Sequence, residues 1–74
     1  MNNISLKELN EWASRLSVEE IKNLSDEEIL KYRMERPGHS GSYGFMLDMN
    51  NFESPRHFSE ILKALMERLA KVDK

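Results

Sequence analysis

The chain reads as a small all-α protein, a bundle of four main helices with a glycine-rich loop before the last. Three observations predict this. A serine followed three residues later by a glutamate occurs three times, at Ser5/Glu8, Ser17/Glu20 and Ser25/Glu28. Apolar residues recur at spacings of three and four along the last twenty residues. All three glycines fall together, at positions 38, 41 and 44, so the breakers are confined to one stretch.

Each Ser-x-x-Glu is a capping box. The serine side chain accepts the amide of the glutamate three residues on, and the glutamate reaches back to the amide of the serine. Each box also has its hydrophobic staple: Ile4 with Leu9, Leu16 with Ile21, and Leu24 with Ile29. The caps predict a first helix over residues 6–15, a second over 18–24 and a third over 26–36. The second is only about two turns long, too short to be stable in water alone, so packing must hold it. The tight links between the three force the helices to fold around each other.

Helical periodicity supports the assignment. Leu6, Leu9, Ala13 and Leu16 form the stripe of the first helix, with Trp12 at its flank. Val18, Ile21 and Leu24 line the second; Ile29, Leu30, Tyr32 and Met34 serve the third. The acidic pairs and triplets at Glu19-Glu20 and Asp26-Glu27-Glu28 stand at helix starts, where the macrodipole favours negative charge.

Pro37-Gly38 ends the third helix, because proline cannot continue it and glycine accepts the backbone angles of a turn. The loop His39-Ser40-Gly41-Ser42-Tyr43-Gly44 follows. Residues 43–51 read two ways. Phe45, Met49 and Phe52 share a helical face, whereas Tyr43, Phe45, Leu47 and Met49 share a strand face. A strand here would need a hairpin or a second subunit to pair with, so a short helix or irregular turn is the expectation. Ser54-Pro55 then opens the last helix, over 55–72, with serine at the cap and proline at the first position. Phe58, Ile61, Leu62, Leu65, Leu69 and Val72 make its apolar stripe, with Ala64 and Met66 beside it. Glu60, Lys63, Glu67, Lys71 and Lys74 alternate in sign on the other side.

Composition limits what such a chain can do. Seventy-four residues make one small domain, 1–74, near the lower size limit for folding without staples. There is no cysteine, hence no disulfide, thiolate metal site or thiol nucleophile. Charged residues are 32% and apolar residues 39%, compatible with a folded core. No apolar run is long enough to span a membrane. The N-terminal Met1-Asn2-Asn3-Ile4 lacks the basic and apolar regions of a signal peptide, and a cytoplasmic protein is the expectation. The net charge is -2. No block of like charge resembles a nucleic-acid arm.

The residues of catalytic type do not assemble into a site. Ser40, His39, Asp48 and His57 supply the side chains of a hydrolytic triad, but the serine and its neighbouring histidine share a loop with no nucleophile elbow. His39, His57, Asp48 and Glu53 lack the helical spacing of metal ligands. Gly38, Gly41 and Gly44 follow a helix, whereas a dinucleotide loop follows a strand and carries its helix behind it. The expectation is therefore a non-catalytic protein with no metal and no cofactor.

Two binding readings remain. Tyr43, Phe45, Met46, Met49 and Phe52 concentrate aromatic and methionine side chains, the types enriched at the centres of interfaces. They are the expected partner-binding residues of a small protein-interaction module: a regulator, adaptor or inhibitor of bacterial or phage type. Extra burial against a partner, or in a homodimer, would help so small a core. The alternative is a nucleic-acid-binding regulator that uses Arg56, Arg68 and Lys71 on the basic side of the last helix. A helix-turn-helix formed by the second and third helices is disfavoured, because its recognition helix would begin Asp26-Glu27-Glu28 against phosphate.

Overall fold

The computed structural model describes residues 4–38 and 40–72. The described residues are mostly helical, with four α-helices and one small two-stranded antiparallel sheet among them. Helix α1 spans Leu6–Ser14, α2 Val18–Lys22, α3 Asp26–Tyr32 and α4 Pro55–Val72. Between α3 and α4 lie strand β1, Met34–Glu35, strand β2, Tyr43–Gly44, and a single 3-10 turn over Met49–Asn51.

All three serine caps form. Ser5, Ser17 and Ser25 each accept the backbone amide of the glutamate three residues on, at 3.1 Å in every case. The reciprocal half of the box is present at Ser5 and Ser17. At Ser25 the glutamate is engaged elsewhere: the Glu28 carboxylate accepts the indole N–H of Trp12 at 3.0 Å. The inner members of the three staples, Leu9, Ile21 and Ile29, have no exposed surface. With Ile61 and Leu65 of α4 they are the largest fully buried side chains. The outer members, Ile4, Leu16 and Leu24, are half-buried against them. The residues that start each helix thus also begin the core.

Helix α4 is the spine against which α1, α2 and α3 pack. Ile61, Ala64, Leu65 and Leu69 face inward, and Phe58, Leu62 and Val72 close the edges. Ser54 caps it, accepting the His57 amide at 3.1 Å. One residue of the apolar stripes and one beside them stay exposed. Leu6, at the first position of α1, is 53% exposed, and Met66 is exposed on α4.

The third helix is shorter than the expected 26–36. It stops at Tyr32, and Arg33 is already extended. The physical reason lies eight to ten residues downstream. Met34 pairs with Gly44 and Glu35 with Tyr43, and the Arg36 amide donates to the Ser42 carbonyl at 2.7 Å. A hairpin ladder has taken the backbone groups that a third helical turn would have used. The expectation of helix or irregular turn at 43–51 is corrected at its start: Tyr43–Gly44 is a strand, and its partner lies within this chain. Only Met49–Asn51 is helical, as one 3-10 turn, with the Asp48 carboxylate accepting the Asn50 amide. The hairpin loop needs its glycines where φ is positive, at Gly38 and Gly41. The Gly41 amide donates to the Glu35 carboxylate at 2.8 Å, which closes the loop onto β1.

Candidate functional site

The five residues expected to bind a partner do not form one surface. Phe45 is buried and belongs to the core. Tyr43 is half-buried, with the Arg33 guanidinium 4.0 Å above its ring. Phe52 is half-buried and meets His57 and Phe58 edge-on, each at 5.4 Å between ring centres. Met46 and Met49 are exposed, at 38% and 47%. A tight turn marks the first division: the Leu47 amide donates to the Phe45 carbonyl at 3.0 Å, with Met46 at its apex.

Two further large apolar residues stay exposed, Leu6 of the α1 stripe and Met66 beside that of α4. Leu6, Met46, Met49 and Met66 are the exposed large hydrophobic residues among those described. Leu6 and Met46 line one groove of about 690 Å³, with Phe45 and Leu47 in its wall and Lys7, Arg36 and Asp48 at its margin. Met66 lies beside the hairpin: its sulfur is 3.7 Å from where a side chain on Gly44 would begin. The groove is thus built from the start of α1 and the segment after β2, with Arg36 at its margin.

Asn10 holds this surface together, and sequence reasoning passed over it. It is 5% exposed, the one buried polar residue among those described. Its Nδ2 donates to the carbonyls of Leu6 at 2.8 Å and Met46 at 3.2 Å. Its Oδ1 accepts the Asp48 amide at 2.7 Å. One amide side chain therefore satisfies two backbone groups of an irregular segment that has no ladder of its own. The available signal was an asparagine between Leu9 and Ala13, next to the buried stripe of α1.

Arg56, Arg68 and Lys71 are not gathered at one place: Arg68 and Lys71 line a groove with Lys22, whereas Arg56 stands at the far end of α4. Arg68 is turned inward, with its side chain 15% exposed. Its guanidinium donates to the Ile21 carbonyl at 2.6 Å, the Lys22 carbonyl at 3.3 Å and the Asp26 carboxylate at 3.0 Å. It caps the C-terminus of α2, adding to the Asn23 and Leu24 amides on the Ile21 carbonyl, and ties it to the first residue of α3. Arg56 pairs with Glu60 at 3.3 Å on an open surface. Arg56 and Lys71 are separated by roughly 22 Å along the helix.

The residues of catalytic type stay apart as well. His57, expected on the surface, is half-buried; its Nδ1 has no hydrogen-bond partner and its ring packs on Phe52. Asp48 caps the 3-10 turn. His39 lies outside the described residues. Among the described residues no three His, Asp or Glu side chains are grouped as metal ligands, and no helix is long and apolar enough to cross a membrane.

A second concave surface lies between α1 and α3. Trp12 and Tyr32 stack with ring centres 3.9 Å apart and planes within 5°. Glu8, Glu11, Glu20 and Glu28 surround them, with Arg15 and Leu16. The class defined by these features is a small helical protein with a hairpin inserted before its last helix. No family model, no curated protein and no solved structure matches the chain.

Proposed function

We propose that the protein is a small non-catalytic interaction module, a regulator, adaptor or inhibitor that acts by occupying the surface of a partner protein. One observation supports this above the rest. Four large apolar side chains stay exposed in a chain too small to leave them unused, and Met46 and Leu6 line an open groove. Methionine is adaptable and polarisable, and it suits a surface that must fit another protein's apolar side chains. The groove is also rigidly backed, because Phe45 is in the core and Asn10 holds the backbone on both sides of Leu47. Preorganised backing lowers the ordering cost of binding.

The test is capture of a partner from nuclease-treated bacterial lysate by the tagged protein, with Met46→Asp/Met49→Asp as the control. Both residues are exposed, so the variant should keep the helical circular dichroism of the parent. Phe45 is unsuitable for such a control because its loss empties the core. A discrete protein band that disappears with the double variant is the expected result. Retention of the band by the variant moves the partner to another face. Recovery of nucleic acid alone, when nuclease is omitted, overturns the proposal. A mass of twice 8.7 kDa by light scattering, lost in the variant, would identify the partner as a second copy of the chain.

A further inference from the structure

We infer, on the proposal that the methionine groove is the binding surface, that its occupant is an acidic, amphipathic segment of a partner protein. Apolar side chains of the segment fill the groove, and its carboxylates meet Lys7 and Arg36.

The margin of the groove is positive on a chain whose net charge is -2. Lys7 and Arg36 stand there, both exposed, and neither makes an ion pair with any described residue. Asp48 is the one carboxylate in the lining, and its Oδ1 already accepts the Asn50 amide at 3.0 Å. The two cations therefore border exposed Leu6 and Met46 without a bonded counter-ion.

Helix stability does not account for Lys7. It is the second residue of α1, in the turn where the macrodipole disfavours a cation. Glu19 and Glu27 hold the same position in α2 and α3. Arg36 lies differently. Its Cγ and Cδ are 3.8 Å from where a side chain on Gly44 would begin, and the Met66 sulfur is 3.7 Å from the same point. A stem laid on the hairpin in this way covers apolar surface and leaves the charged end to water or to a partner.

These cations decide the sign of the occupant. Apolar contact alone is indifferent to charge, whereas opposite charge at the rim steers the right partner in and rejects the wrong one. A guanidinium takes a carboxylate in two parallel bonds. Asp48 at the same margin opposes a uniformly anionic surface such as a lipid bilayer. It leaves room for a segment whose carboxylates are placed.

The probe is a library of random twelve-residue peptides displayed on phage and panned on the immobilised full chain. Enrichment of peptides with Asp or Glu beside Leu, Phe or Met is expected, with binding that weakens as salt rises. One enriched peptide, labelled with fluorescein, should lose about tenfold in affinity on Lys7→Glu/Arg36→Glu, while circular dichroism stays that of the parent. Lys7→Gln/Arg36→Gln, which only removes the charges, should lose a few-fold. The peptide with lysines in place of its carboxylates should prefer the Lys7→Glu/Arg36→Glu variant to the parent chain. Enrichment of peptides without acidic residues overturns the inference, as does affinity that both double variants leave intact; the groove then remains an apolar binding surface. Leu6→Ala/Met46→Ala removes exposed apolar surface and leaves the charge unchanged. Peptides that bind it as tightly as the parent, or no enrichment at all, overturn the groove as the binding surface and the acidic occupant with it. Sedimentation of the chain with phosphatidylglycerol vesicles, abolished by Lys7→Glu/Arg36→Glu, assigns the cations to a lipid surface and overturns the inference too.

Discussion

Residues 4–32 and residues 33–54 are held in place by different kinds of interaction. In the first region each helix begins at a serine that bonds an amide three residues away, and each begins beside its own apolar staple. In the second region two strands of two residues and one 3-10 turn supply little regular structure. What holds that region is brought from far along the chain: the Asn10 side chain, the burial of Phe45, and Met66 against Gly44. The first region is therefore redundant, with stability spread over many local bonds. The second depends on a few long-range contacts, each carrying a large share. An interaction surface built on the second region gains defined geometry at the cost of sensitivity to single substitutions.

Substitutions in the two regions should fail accordingly. Phe45→Ala should be the most damaging, at about 3–5 kcal/mol. That is a large fraction of the total stability of a chain this size, and urea denaturation followed by circular dichroism measures it. Asn10→Ala comes next, at about 2–3 kcal/mol, because the Asp48 amide loses its acceptor in a part-buried site. Hydrogen exchange should show the Asp48 amide opening much faster while the α4 amides change only in step with global stability. If Asp48 stays as protected as before, the region has a support other than Asn10.

Arg68→Met should cost about 1–2 kcal/mol, since the packing of the stem is kept and the Ile21 and Lys22 carbonyls lose the guanidinium. Most of this comes from the 2.6 Å bond to the Ile21 carbonyl, because the Asp26 carboxylate it also meets is largely exposed. Among the caps, Ser17→Ala should cost about 1 kcal/mol and Ser25→Ala a few tenths less, since only Ser17 has its full capping box to lose. Equal losses would mean that the reciprocal glutamate bond adds nothing. Arg56→Ala, which breaks an exposed pair, should lie below about 0.5 kcal/mol and within the error of the same measurement.

The candidate surface was legible only in part. Tyr43, Phe45, Met46, Met49 and Phe52 stand out in the sequence by type, and type cannot say which of them a fold will bury. Phe45 and Met46 are neighbours in the chain, yet one is 7% exposed and the other 38%. The β1–β2 ladder ends at Gly44, and the chain turns at Met46, where the Leu47 amide donates back to the Phe45 carbonyl. Leu6, on the apolar stripe of α1 by its periodicity, belongs to the exposed set for the converse reason. The position exists on the helix, but no element covers it. Arg68 shows the same limit for charge. Its sequence neighbours mark it as surface, and only the position of α2 turns it into a cap.

By itself the sequence determined where the helices begin and that α4 is the longest. It also determined that the breakers lie between the third helix and the last. These signals act over three or four residues, a range within which the chain has no choice of partner. The tertiary structure alone decided the end of α3 at Tyr32, the pairing of β1 with β2, and the diversion of Glu28 to Trp12. It alone decided the roles of Asn10 and Arg68, whose bonds reach 36 to 47 residues along the chain. A donor and an acceptor that far apart leave no periodic trace. Which of the available partners each one takes is decided by the packing of α4 against the other three helices.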